Sequence, residues 1–89
     1  MSQCMCCIVS GRVQGVFFRA TAVKQAKNLD LTGYAKNLPD GRVEVVACGD
    51  SYNLAKLRAW LAHGSPMAKV DDVECESIEM KVPDQFTIA

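Results

Sequence analysis

The chain has 89 residues, of which 49% are hydrophobic and 22% charged, with a formal net charge of zero. That length suits one domain, spanning residues 1–89 around one core, and the balance excludes a disordered chain. With no apolar run of membrane-span length and no secretion-signal pattern at its start, the sequence predicts a soluble, cytoplasmic protein.

The charge is unevenly spread. Between positions 11 and 42 six bases (Arg12, Arg19, Lys24, Lys27, Lys36 and Arg42) face two acids, whereas from position 43 onward four bases face eight acids. A positive half would steer an anionic substrate, while Lys24, Lys27 and Lys56 suit solvated helix faces. The five cysteines, Cys4, Cys6, Cys7, Cys48 and Cys75, include one C-x-x-C spacing, Cys4 to Cys7, but no second such pair, and with one histidine in the chain no zinc site is expected.

Residues 4–9 are soft apolar and β-branched and read as a buried central strand. From Ser10 to Arg19 the chain then reads S-G-R-V-Q-G-V-F-F-R. Gly11 and Gly15 permit a tight turn and a close approach to a ligand. A loop opening a helix leaves the first helical N–H groups without internal partners, with the helix dipole behind them, which makes a nest for an anion. Arg19 in the first turn can close a planar fork over two phosphate oxygens. On spacing alone the stretch serves equally as a plain strand-to-helix connection. Phe18, Ala22, Ala26 and Leu29 form one stripe and predict a helix over 18–29.

Residues 31–38 and 42–48 read as strands joined by Pro39-Asp40-Gly41, each residue suited to its place in a hairpin turn. Val43, Val45 and Ala47 share the inward face. Gly49-Asp50-Ser51 opens a second helix, with Asp50 or Ser51 as N-cap, and Leu54, Leu57, Trp60 and Leu61 form its apolar side. Trp60 reads as core packing, and His63, before the terminating Gly64-Ser65-Pro66, as an exposed or capping residue rather than a base. Residues 69–80 read as a strand with an acidic outer face and 86–88 as a short last strand, with Pro83 fitting an edge. Right-handed crossovers turn this order into a ferredoxin-like α+β sandwich, β-α-β-β-α-β, with an antiparallel sheet, two helices on one face and an extra C-terminal strand. That fold alone decides no function.

Strand parity puts Met5, Cys7 and Val9 on the helix side of the first strand and Cys4, Cys6 and Ile8 on the other. With the first and third strands antiparallel neighbours, Cys4 and Cys48 become cross-strand partners on the open face, the one pairing among the five cysteines this topology favours. A reducing cytoplasm would keep both as free thiols.

G-R-V-Q-G-V-F-F-R (residues 11–19) and G-Y-A-K-N-L-P-D-G-R-V-E-V-V-A-C-G (residues 33–49) resemble the two signatures of acylphosphatases, small enzymes that hydrolyse the carboxyl–phosphate bond. The similarity extends over nearly all of the chain. It implies that Arg19 binds the phosphate together with backbone N–H groups of Val13, Gln14, Gly15, Val16, Phe17 and Phe18, and that Asn37 orients the attacking water. Without the resemblance Asn37 reads as a strand-end residue satisfying local backbone. The family often has glycine where Asp30 ends the first helix, so this departure bears on helix-end stability rather than activity. No cofactor or metal is implied; the ligands are a small-molecule acyl phosphate and inorganic phosphate. A monomer without nucleic-acid or membrane partners is expected. The alternative is a noncatalytic anion or carbamoyl-phosphate-binding module. RNA binding would need aromatics on exposed central strands, and neither the first nor the third strand carries one.

Overall fold

The computed structural model describes residues 3–89. Seven elements follow one another: β1 (Gln3–Arg12), α1 (Phe18–Asn28), β2 (Thr32–Asn37), β3 (Val43–Gly49), α2 (Ser51–His63), β4 (Lys69–Ile78) and β5 (Phe86–Ile88). They build one sheet in the order β4-β1-β3-β2-β5. Alternation explains the layering. Met5, Cys7 and Val9 of β1 and Val43, Val45 and Ala47 of β3 join Phe18, Ala22 and Ala26 of α1 and Leu54, Leu57 and Leu61 of α2 in the core. Fully burying a side chain such as Phe18 or Leu57 stabilises the fold by about 1.5–3 kcal/mol. Trp60 lies half-buried with its ring 5.6 Å from that of Phe18, so it packs the helices together.

Several boundaries differ from the sequence expectations for physical reasons. β1 does not end at Val9; Ser10, Gly11 and Arg12 continue it against β4, with the register shifting between Ser10 and Gly11. Gly11, at φ 122°, brings its backbone so near the neighbouring strand that a Cβ would lie 2.2 Å from the Lys69 carbonyl oxygen. Its glycine serves strand approach and not ligand approach. The antiparallel core β4-β1-β3-β2 is extended by β5, which lies parallel to β2 and makes the sheet mixed. β4 ends beside Cys4 and β5 begins beside Gly33, at the same end of the sheet, so the chain crosses from edge to edge and returns in the direction of β2. The face of β3 away from the helices is closed as well: Val46 and Cys48 are buried there. Cys6 and Tyr34 stand opposite Val46 on its two sides, and Cys4 and Thr32 stand opposite Cys48.

Cys4 and Cys48 are direct partners in the β1–β3 register and are joined by a disulfide. A second bridge, Cys7 to Cys75, joins β1 to β4 on the core side. The expectation of a single favoured pair is therefore corrected. Cys75 faces Cys7 because β4 flanks β1 on the side away from β3, so the second bridge agrees with the β1–β3 register. Cys6, between the two, stays free. Burial, then the charges of Glu44 and Glu76, push its thiol pKa up, so it remains protonated and slow to attack either bridge.

The end of α1 has its own strain. Leu31 N–H reaches the Ala26 carbonyl at 2.9 Å and Asp30 N–H the Lys27 carbonyl at 3.1 Å, with Asp30 left-handed at φ 55°. This is the Schellman arrangement with aspartate at the position glycine favours, and the carboxylate sits at the negative end of the helix dipole.

Two outcomes follow. Asp30→Gly should raise stability by about 0.5–1 kcal/mol, net of glycine's greater freedom in the unfolded chain. Denaturant unfolding at neutral pH measures this, and a loss of stability would show that the carboxylate makes a favourable contact. Peptide mapping of oxidised, nonreduced protein should give Cys4–Cys48 and Cys7–Cys75 with Cys6 alkylated. Either bridge alone should add about 4 kcal/mol on the chain-entropy model, and the second less once the first is closed. Full alkylation of Cys7 and Cys75 after mild oxidation would refute the second bridge.

Candidate anion site

The segment 13–17 leaves β1 and doubles back into α1, and its side chains mostly turn away from its concave face. Val13 and Phe18 are buried in the core. The Gln14 carboxamide donates to two backbone carbonyls of the β2–β3 hairpin, Leu38 at 2.8 Å and Arg42 at 2.9 Å. The buried Ser65 hydroxyl, beyond the end of α2, donates to the Val16 carbonyl at 3.2 Å. Phe17, the N-cap of α1, is left-handed (φ 61°, ψ 19°) and gives the helix no side-chain cap. The helix therefore begins with N–H groups that have no internal acceptor and carry the positive end of its dipole. Gly15, at φ 73°, has no atom within 4 Å of where a Cβ would stand, so the loop is open at that point.

Arg19 is half-buried in the first turn of α1 and lines a cavity of 260 Å³ with Gly15, Phe17 and Ile88. Among the described residues Arg19 makes no ion pair. The side chain of Arg42, whose carbonyl is one of the two hairpin anchors, is committed elsewhere: its Nε lies 2.7 Å from the Asp40 carboxylate. The Arg42 backbone N–H, then its guanidinium, hold the Asp40 carboxyl below the ordinary carboxylate range. His63 is exposed at the last position of α2. Among the described residues no three of the potential metal-ligating His, Cys, Asp and Glu side chains come together.

Asn37 is the last residue of β2, paired with Val43, which in turn pairs with Val9 of β1. It is the residue before Leu38, one of the two carbonyls held by Gln14. Its Oδ1 is buried and meets no donor among the described residues. A buried acceptor left without a partner costs about 1–3 kcal/mol, so such atoms are normally satisfied by water or ligand. Thr32 Oγ1 is also unpartnered but lies at the other end of β2, opposite Cys48.

Of the expected loop residues, then, Val13, Gly15, Phe17, Phe18 and Arg19 line the cavity, while Gln14 and Val16 are engaged by the hairpin carbonyls and by Ser65. The sequence reading missed Ser65. It is separated from Val16 by 49 positions, and a serine between glycine and proline signals only a helix end. It also missed the grip of Gln14 on the hairpin, since a carboxamide has no periodicity to reveal its partner.

An acylphosphatase family model matches residues 5–88. The acylphosphatase of Halorhodospira halophila is 52% identical over 82 residues, covering 92% of this chain and 89% of that protein. The solved structure of an acylphosphatase from Coxiella burnetii superposes with a TM-score of 0.95 at 43% identity, over 99% of this chain and 93% of the other. That of the acylphosphatase from Bacillus subtilis gives 0.94 at 37% identity, over 100% and 99%.

Gln14→Ala removes both hairpin anchors and should weaken binding of inorganic phosphate about tenfold while lowering stability by about 1–2 kcal/mol. Calorimetric titration with phosphate and denaturant unfolding read the two effects separately. An unchanged phosphate affinity would mean that the loop keeps its shape without this brace.

Proposed function

The chain belongs to the acylphosphatase family, and from that premise we propose how its residues hydrolyse the carboxyl–phosphate bond of small-molecule acyl phosphates. Backbone N–H groups of the 13–18 loop and the Arg19 guanidinium bind the nonbridging oxygens of the phosphate. Asn37 accepts a hydrogen bond from the attacking water and sets it in line with phosphorus. The oxygen of water bonds to phosphorus, the bond from phosphorus to the acyl oxygen breaks, and the electron pair leaves with the carboxylate. The proton of the water ends on phosphate or solvent.

The observation that carries this reading is the buried, unpartnered Asn37 Oδ1, one residue from the hairpin carbonyl that Gln14 holds. An acceptor there suits a water molecule, and a carboxamide does not titrate while it works. Carboxylate is a good leaving group, so positioning and charge stabilisation supply most of the catalysis. Arg19 supports the charge part because its first-turn position adds a delocalised cation to the helix dipole. We read the chain as a single domain acting as a monomer. A cytoplasmic setting would hold the four bridge-forming cysteines as thiols, and this mechanism uses none of them.

Phosphate release from benzoyl phosphate, with and without chelator, tests the reading. Arg19→Ala should lose at least about 3 kcal/mol of transition-state stabilisation and bind phosphate weakly. Arg19→Lys should recover little, because an ammonium cannot reproduce the bidentate fork. Asn37→Ala should lower kcat while leaving phosphate inhibition nearly unchanged. Near-normal turnover in Arg19→Ala would sink the assignment, and weak phosphate inhibition in stable Asn37→Ala would make Asn37 a phosphate ligand instead.

A further inference from the structure

Two anomalies meet at the mouth of the anion site. Phe17 is 80% exposed, and it is an aromatic residue held in the left-handed region, where a bulky side chain is a clear outlier. Exposure and strain both argue against a packing role. Ile88, on the edge strand β5, is 50% exposed. These two side chains line the same 260 Å³ cavity as Gly15 and Arg19, although Phe17 and Ile88 lie at opposite ends of the sequence. The other exposed large hydrophobics, Tyr52, Met67, Met80 and Val82, do not line this cavity.

The cavity thus joins the Arg19 cation and the start of α1 to an otherwise apolar lining, of which Phe17 and Ile88 are the exposed large side chains. An acyl phosphate has the same polarity, with a charged phosphoryl group at one end and its acyl chain at the other. We infer that Phe17 and Ile88 receive the acyl group and give the enzyme its preference for small apolar, especially aromatic, acyl phosphates. This inference rests on the hydrolase reading above and narrows its substrate class. The volume agrees: 260 Å³ lies just below the usual range of small-molecule pockets, about 300–1,000 Å³, which suits a compact acyl group better than a nucleotide or peptide. An aromatic ring stacked on Phe17 would shed water from both faces in contact, and an offset stack adds to that gain. The left-handed backbone at Phe17 is what turns its side chain outward while keeping its N–H in the loop.

The test compares kcat/KM for benzoyl and acetyl phosphate. Phe17→Gly keeps the backbone N–H and places at that position the residue its left-handed conformation favours, so the fold is relieved while the apolar wall is lost. The benzoyl-to-acetyl ratio should fall about tenfold, the low end of what an apolar pocket discriminates, and about threefold in Ile88→Ser. A ratio within about twofold of the parent in Phe17→Gly overturns the inference. Should that variant fail to fold, Ile88→Ser decides in the same way. A parent protein that releases phosphate from neither substrate refutes the hydrolase reading itself, and with it this extension. A parent active on both whose ratio Phe17→Gly leaves unmoved refutes the extension alone.

Discussion

The site depends on donors that must stay unpaired. A loop whose N–H groups are to meet an anion cannot spend them on internal hydrogen bonds, so its shape has to be held by other atoms. Here the holding is done by carbonyl acceptors and side-chain donors. Gln14 gives both hydrogens of its amide to the hairpin carbonyls of Leu38 and Arg42, and Ser65 gives its hydroxyl to the Val16 carbonyl. Val13 and Phe18 pin the two ends of the loop into the core. Every brace leaves the loop's N–H groups uncommitted. Preorganisation of this kind is what lets dipoles stabilise developing charge without reorganising during the reaction.

The sheet register explains why one amide brace reaches two parts of the site. Val9, Val43 and Asn37 form one row across β1, β3 and β2, and it lies at the end from which the loop departs and the hairpin turns. Arg19 and Asn37 come from distant parts of the sequence but emerge at that same end. The hairpin is itself rigid. Gly41 N–H reaches the Leu38 carbonyl at 3.2 Å, and Asp40 accepts from the Arg42 backbone and guanidinium. Its small turn network keeps Arg42 occupied, and Arg19 is the basic residue that lines the cavity.

Much of this was legible before the structure, where a local pattern had one physical meaning. The stripe Phe18, Ala22, Ala26 gave α1, Asp50 capped α2 as its position suggested, and the parity of β1 and β3 put Cys4 beside Cys48. What stayed hidden was nonlocal. Cys75 could face Cys7 only once the β1–β4 register was known. Gly11 looked like a loop glycine because a bulge and a turn ask the same residue for the same conformational freedom. The direction of β5 depended on the crossing path of residues 79–85, which has no periodic signal. For Arg19 and Asn37 the family motifs carried the assignment, and the structure adds to it an orphaned acceptor that no sequence pattern could disclose.

Helix α1 is flanked by two non-glycine residues in left-handed conformation, and their surroundings separate two kinds of strain. At Asp30 the freed carbonyls are satisfied by the Schellman hydrogen bonds, the backbone arrangement is one that glycine would adopt more easily, and among the described residues the carboxylate makes no ion pair. At Phe17 the same backbone region leaves the helix uncapped, opens its N–H groups and turns an aromatic ring into the cavity that Arg19 lines. Strain that only ends a helix is open to improvement by mutation–selection drift. Strain that coincides with open donors, an exposed aromatic and an unpaired cation has a return in binding under the proposed function, where its relief would trade function for stability. The two ends of one helix thus set a local defect, at Asp30, against a conformation that the proposed site would use, at Phe17.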